Sequence, residues 1–185
     1  MRNLIVISFA ACCVLACSLA HAQPMPEFPA PTEQHQWLEK FVGQWDITSK
    51  GMMGPDQPPM ECSAVMKSKM LGGFWVVTET DGETPGGKFT SLQTIGYDPA
   101  KQVYVGTWVD SMTNHLWHYE GSVDESGKTL TLEAEGPNFM TGGATAKFRD
   151  SYEFKSPDEI IARSSIQGED GKWITFMTGT ATRKE

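Results

Sequence analysis

Residues 129–135 read Thr129-Leu130-Thr131-Leu132-Glu133-Ala134-Glu135, a strict alternation with Leu130, Leu132 and Ala134 on one side and polar residues on the other. Successive side chains of a strand point to opposite faces, so this period predicts a strand with one dry and one wet face. The pattern recurs from Thr145 to Phe154, where Ala146, Phe148, Tyr152 and Phe154 share a face with Asp150 and the charged residues take the other. Further strands are predicted at Trp45–Ser49, Cys62–Lys67, Phe74–Thr80, Phe89–Tyr97, Val103–Asp110, His115–Val123, Glu159–Gln167 and Trp173–Thr182. Short turn signals separate them, among them Asp81-Gly82, Asp98-Pro99, Ser126-Gly127 and Asp170-Gly171, and these favour hairpins between sequential neighbours. A long antiparallel meander with one wet face curls until its edges meet, because closure removes unpaired edge groups. The expected fold is therefore all-β: an antiparallel up-and-down barrel of about ten strands. A two-sheet sandwich is the rival, but it needs longer connections, and Lys50–Glu61 is the one long irregular stretch.

Ahead of the strands, Thr32 to Val42 reads as a short helix, with Trp37, Leu38, Phe41 and Val42 on one face and Gly43 as its stop. Residues 1–22 carry Arg2, an apolar run from Leu4 to Ala20, and the small-x-small triplet Ala20-His21-Ala22, the pattern of a removable export signal. A lipoprotein variant of that processing would instead leave a lipid on Cys17. Residues 23–31 form a Pro-rich leader, and 32–185 a single barrel domain. The composition, 39% hydrophobic and 21% charged with mean hydropathy −0.33, is that of a folded soluble domain. The formal charge of −8 becomes one unit more acidic once Arg2 is removed, and no Lys/Arg cluster is present to grip phosphates. Nucleic acid is thus excluded as a partner, and no membrane span is expected after signal removal. Cys12, Cys13 and Cys17 leave with the signal, so Cys62 has no partner for an internal disulfide.

The run Leu38-Glu39-Lys40-Phe41-Val42-Gly43-Gln44-Trp45 resembles the opening of calycin barrels such as lipocalins, fatty-acid-binding proteins and nitrobindins. The resemblance implies that Trp45 closes one barrel end and that a late Arg lies across it, for which Arg183 is the positional match; guanidinium stacking on indole supplies the physical reason. His35-Gln36-Trp37-Leu38, Met53-Gly54-Pro55, Met70-Leu71-Gly72-Gly73, Gly96-Tyr97-Asp98-Pro99 and Gly106-Thr107-Trp108-Val109-Asp110-Ser111-Met112 together look like a bacterial family known only as domain of unknown function 1579. That likeness spans roughly residues 32 to 183. It implies a calycin-like barrel and brings no established activity.

Functional signals concentrate between Tyr104 and Tyr119. On the strand after the Ser111–Asn114 turn, His115, Trp117, Tyr119 and Val123 share one parity, taken as inward. An aromatic lining with a few polar tips suits a pocket for a small hydrophobic or aromatic ligand. The expected lining is Trp75, Tyr104, Trp108, His115, Trp117, Tyr119, Asp150 and Tyr152, with Asp110 at the rim. The plain alternative is that these rings fill the barrel. Asp150, on an apolar face, needs a partner, and Arg163, Tyr119 and His115 are the candidates. An isomerase or lyase using Asp150 or His115 as base is the enzymatic alternative.

Other chemistries find less support. His115 and His118 fall on opposite faces of a strand, so joint metal ligation requires a bulge. Haem-binding nitrobindins use a late histidine, and nothing after His118 matches it. Met52, Met53, Met60, Met66 and Met70 around Cys62 resemble a Cu(I) ligand set, yet their irregular spacing reads better as a pliable flap over the mouth. Nucleophile motifs are missing, and Gly72-Gly73, Gly86-Gly87 and Gly142-Gly143 read as turns rather than phosphate cradles. No catalytic residue, metal or cofactor is therefore assigned, and the oligomeric state is left open.

Overall fold

The computed structural model describes residues 28–52, 58–139 and 145–184. The expected signal and most of the leader therefore lie outside the described residues, as do Met53 and Gly142-Gly143. Pro31–Glu185 form one compact unit. Its strands run in chain order: β1 (Gly43–Gly51), β2 (Met60–Leu71), β3 (Trp75–Thr84), β4 (Gly87–Asp98), β5 (Val103–Asp110), β6 (Trp117–Val123), β7 (Thr129–Pro137), β8 (Thr145–Ser156), β9 (Glu159–Gln167) and β10 (Trp173–Arg183). Each pairs antiparallel with its sequence neighbours, and β1 pairs with β10 to close the ring. The barrel and its ten strands are as expected, and the sandwich is excluded.

Register follows from the alternation. Leu130, Leu132 and Ala134 are buried and lie opposite Tyr152, Asp150 and Phe148, so both apolar faces turn to the same interior. The outer faces carry ion pairs such as Lys101–Glu120, Arg149–Glu133 and Arg163–Glu153. Among the described residues, no helix is long and apolar enough to cross a membrane.

The helical segment is shorter than the sequence suggests: α1 covers Glu33–Trp37 and tightens into a 3-10 turn at Leu38–Phe41. The tightening swings Leu38 and Phe41 fully inside, where they plug one barrel end. Phe41 meets Tyr152 and Phe154 edge-on, and Trp37 meets Tyr104 and Phe154. Tyr104 OH donates to the Gln34 carbonyl at 3.1 Å, tying the plug to β5. The opposite end is the mouth, ringed by the 84–87, 110–117 and 167–173 connections together with the near ends of β1, β2, β7 and β8.

Candidate functional site

Closure of the plugged end is built around one glycine. Gly43 has φ +129°, and a Cβ there would stand 2.5 Å from Arg183 Nη1. The bare backbone lets the Arg183 guanidinium lie 4.1 Å above the buried Trp45 ring while donating to the carbonyls of Lys40, Val42 and Pro157. Trp45 Nε1 donates to the Phe41 carbonyl at 2.8 Å, so the indole has no unspent polar group at the barrel end.

Above this floor, the interior is a lumen with accessible walls. Asp150 and Tyr152 stand on inward positions of β8, densely surrounded by protein, yet both keep accessible surface. Surface at that depth borders internal space. Ile47, Ala64, Met66, Trp108, Ala162 and Ser164, all on inward positions of their strands, are likewise only partly buried. A barrel plugged solid by its own side chains would have sealed them, and ten strands enclose more volume than side chains of this size fill. Two external depressions are separate from this space. One of about 720 Å³ lies outside β10, β1, β2 and β3 near Lys50 and Glu61; the other, about 380 Å³, lies at the plugged end between Trp37, Tyr97 and Tyr104.

The lumen has a polar frame. Gln93 Nε2 donates to Tyr152 OH at 2.9 Å, from β4 to β8 across the ring, forming a strut above the plug. One inward position toward the mouth on β8, Asp150 accepts from Tyr119 OH at 2.6 Å and from Ser164 Oγ at 2.5 Å. Burial pushes the Asp150 carboxyl above its ordinary value, while the hydrogen bonds from Ser164 and Tyr119 oppose that rise. The Tyr119 hydroxyl is driven well up, first by burial and then by the neighbouring Asp150 charge. Tyr152 is raised for the same two reasons, with Gln93 pulling the other way. On β4, one inward position toward the mouth from Gln93, Ser91 Oγ is buried and has no hydrogen-bond partner.

Sequence-derived placements meet this geometry unevenly. Tyr104, Trp108, Trp117, Tyr119, Asp150 and Tyr152 all lie on inward positions, though Tyr104 is spent on the plug. Trp75 does not line the lumen. It faces outward from β3, lying over Gly96 of β4, because the inward parity on that strand belongs to Val76, Thr78 and Thr80. His115 sits in the mouth connection before β6, edge-on to Trp117, with Nε2 3.4 Å from the Glu135 carbonyl. Asp150 therefore takes Tyr119 and Ser164 as partners, whereas Arg163 turns outward to Glu153. Asp110 accepts from Trp108 Nε1 and from the backbone amides of Met112 and Thr113, holding the mouth turn in shape. Met66 and Met70 pack against the core rather than forming a flap. Among the described residues, no group of His, Cys, Asp and Glu is arranged to hold a metal.

Sequence reasoning missed Gln93, Ser91 and Ser164. The signal was present: Phe89, Ser91, Gln93, Ile95 and Tyr97 share one parity, and polar residues on an inward parity mark a wet interior.

A closed up-and-down barrel with a helical plug, a Gly-x-Trp opening and an arginine across the tryptophan defines a calycin-like barrel. The chain belongs to the family described as Protein of unknown function (DUF1579), which matches residues 30–183. Its fold is similar to that of Rv2717c from M. tuberculosis, with TM-score 0.58 and 13% identity, covering 84% of this chain and 100% of that one. It is also similar to the S-type phycobiliprotein lyase CPES from Guillardia theta, with TM-score 0.54 and 15% identity, covering 81% and 92%. At such identities the likeness is one of fold. No curated protein matches the chain.

Proposed function

We propose that this protein is exported with loss of residues 1–22 and that its barrel binds a small hydrophobic or aromatic molecule, without covalent chemistry. The observation that carries the binding reading is accessible surface on side chains enclosed within the ring, above all Asp150 and Tyr152. Apolar wall from Ile47, Ala64, Met66 and Trp108 supplies burial for a guest, and the Asp150 and Gln93 frame supplies a few fixed polar contacts. Mostly apolar walls with sparse polar groups are the usual make-up of small-molecule sites. An acid/base pair of Asp150 with His115 is not favoured, since the His115 ring is engaged by Trp117 and the Glu135 carbonyl at the mouth.

Native mass spectrometry of protein purified from its own host tests both parts. The expected species starts at Gln23 and carries a non-covalent small-molecule mass. A chain beginning at a lipidated Cys17 would overturn the free exported form. An empty barrel, combined with no saturable quenching of tryptophan fluorescence by a library of aromatic compounds, would overturn the binding reading.

A further inference from the structure

The lumen holds a carboxylate without a counter-ion. Asp150 is surrounded by hydroxyls and apolar groups, and every lysine or arginine near it in sequence turns outward: Arg149 to Glu133 and Arg163 to Glu153. Among the described residues, the one cation on an inward strand position is Arg183, at the plugged end, where carbonyls and Asp158 already engage it. The groups facing Asp150 are Tyr119 from β6, Ser164 from β9, Leu132 from β7, and Tyr152 on its own strand with Gln93 behind it. Asp110 on β5 adds a second negative charge that reaches Tyr119, and His115 is the titratable group at the mouth.

Tyr119 and Ser164 each give a hydroxyl to one of the two Asp150 oxygens, which satisfies them as acceptors but places no positive charge beside them. A buried anion with no cation is costly, and a cationic guest removes that cost. Trp108 and Trp117, directly opposed on β5 and β6, add aromatic faces that attract positive charge.

We propose that the occupant is a protonated arylalkyl amine, its ammonium group on Asp150 and its ring against Trp108 and Met66. This rests on the ligand-binding reading above and narrows it to one charge class.

The test is calorimetric titration of the full mature chain near neutral pH with phenethylamine, phenethyl alcohol and hydrocinnamate, which differ in their polar end. The amine is expected to bind about tenfold more tightly than the alcohol, the scale of a buried pair after desolvation is subtracted. Asp150→Asn is expected to lower the ratio of amine to alcohol affinity to about one. Should that variant not fold, the wild-type ratio of amine to alcohol affinity, followed into acid as the carboxyl protonates, is expected to fall toward unity. Equal or tighter binding of the alcohol or the acid would overturn the amine assignment and leave a ligand-binding barrel standing. No saturable binding by any of the three would overturn the amine assignment; with an empty barrel from the native host as well, the binding reading falls too.

Discussion

At Gly43 a single residue carries two separate demands, a left-handed backbone and clearance for the Arg183 guanidinium. Gly43→Ala is expected to destabilise the fold by about 1–3 kcal/mol through backbone strain alone, with more from the displaced arginine. In an Arg183→Ala background only the backbone part should remain. Urea denaturation of the two single variants and the double gives the coupling, and strictly additive effects would show that the close approach is unimportant. Asp150 makes a different prediction. Its carboxyl is raised in the folded protein above the value of about 3.9 that an unfolded chain shows. Below that unfolded value both states are protonated and the group is neutral toward stability. As pH climbs from there through the folded value, the unfolded state ionises first and wild-type stability declines relative to Asp150→Asn. Thermal melts across acid to neutral pH should therefore show the variant gaining on wild type as pH rises, then running parallel; a gap that narrows with pH would contradict the assignment.

Among elements, the strands were legible because their alternation is strict, whereas the helix was legible in place but not in shape. Periodicity marks Trp37, Leu38 and Phe41 as one face, but whether the last turn tightens depends on the barrel end it must fill. Trp75 was misplaced for a similar reason. An aromatic ring at a strand start reads as core, yet the parity of β3 is set by Val76, Thr78 and Thr80, and the ring covers Gly96 on the outside instead. Ser164 became a site residue only through the β8–β9 register, which one strand's pattern does not contain. The β6–β7 connection offers an element-scale test. The Asp124 carboxylate accepts from the amides of Lys128 and Thr129 and from Ser126 Oγ, which together hold it down to a pKa of about 2. Its stabilisation is therefore complete above the ordinary carboxylate range and fades as pH falls through about 2. The difference in melting temperature between wild type and Asp124→Ala should shrink steadily on acidification below about pH 4; a constant difference would mean the turn does not depend on the charge.

For the whole molecule, closure of β1 on β10 decides everything downstream, because an open sheet has two faces but only a ring has an inside. Ring size then decides whether that inside is core or cavity, and the partly buried Ala64, Ala162 and Ser164 place this barrel on the cavity side. The distinction between inside and outside is open to direct measurement, since the tryptophans are divided by the wall. Trp108 faces the lumen beside Gln93, while Trp75 stands outside over Gly96. In a titration with a quenching aromatic ligand, Trp108→Phe is expected to remove a large share of the saturable signal and weaken binding several-fold, because the lost indole is part of the wall. Trp75→Phe is expected to leave both the quenching amplitude and the affinity as they are. Equal losses in the two variants would place the ligand outside the ring, and the charge logic built on Asp150 would then have no occupant to act on.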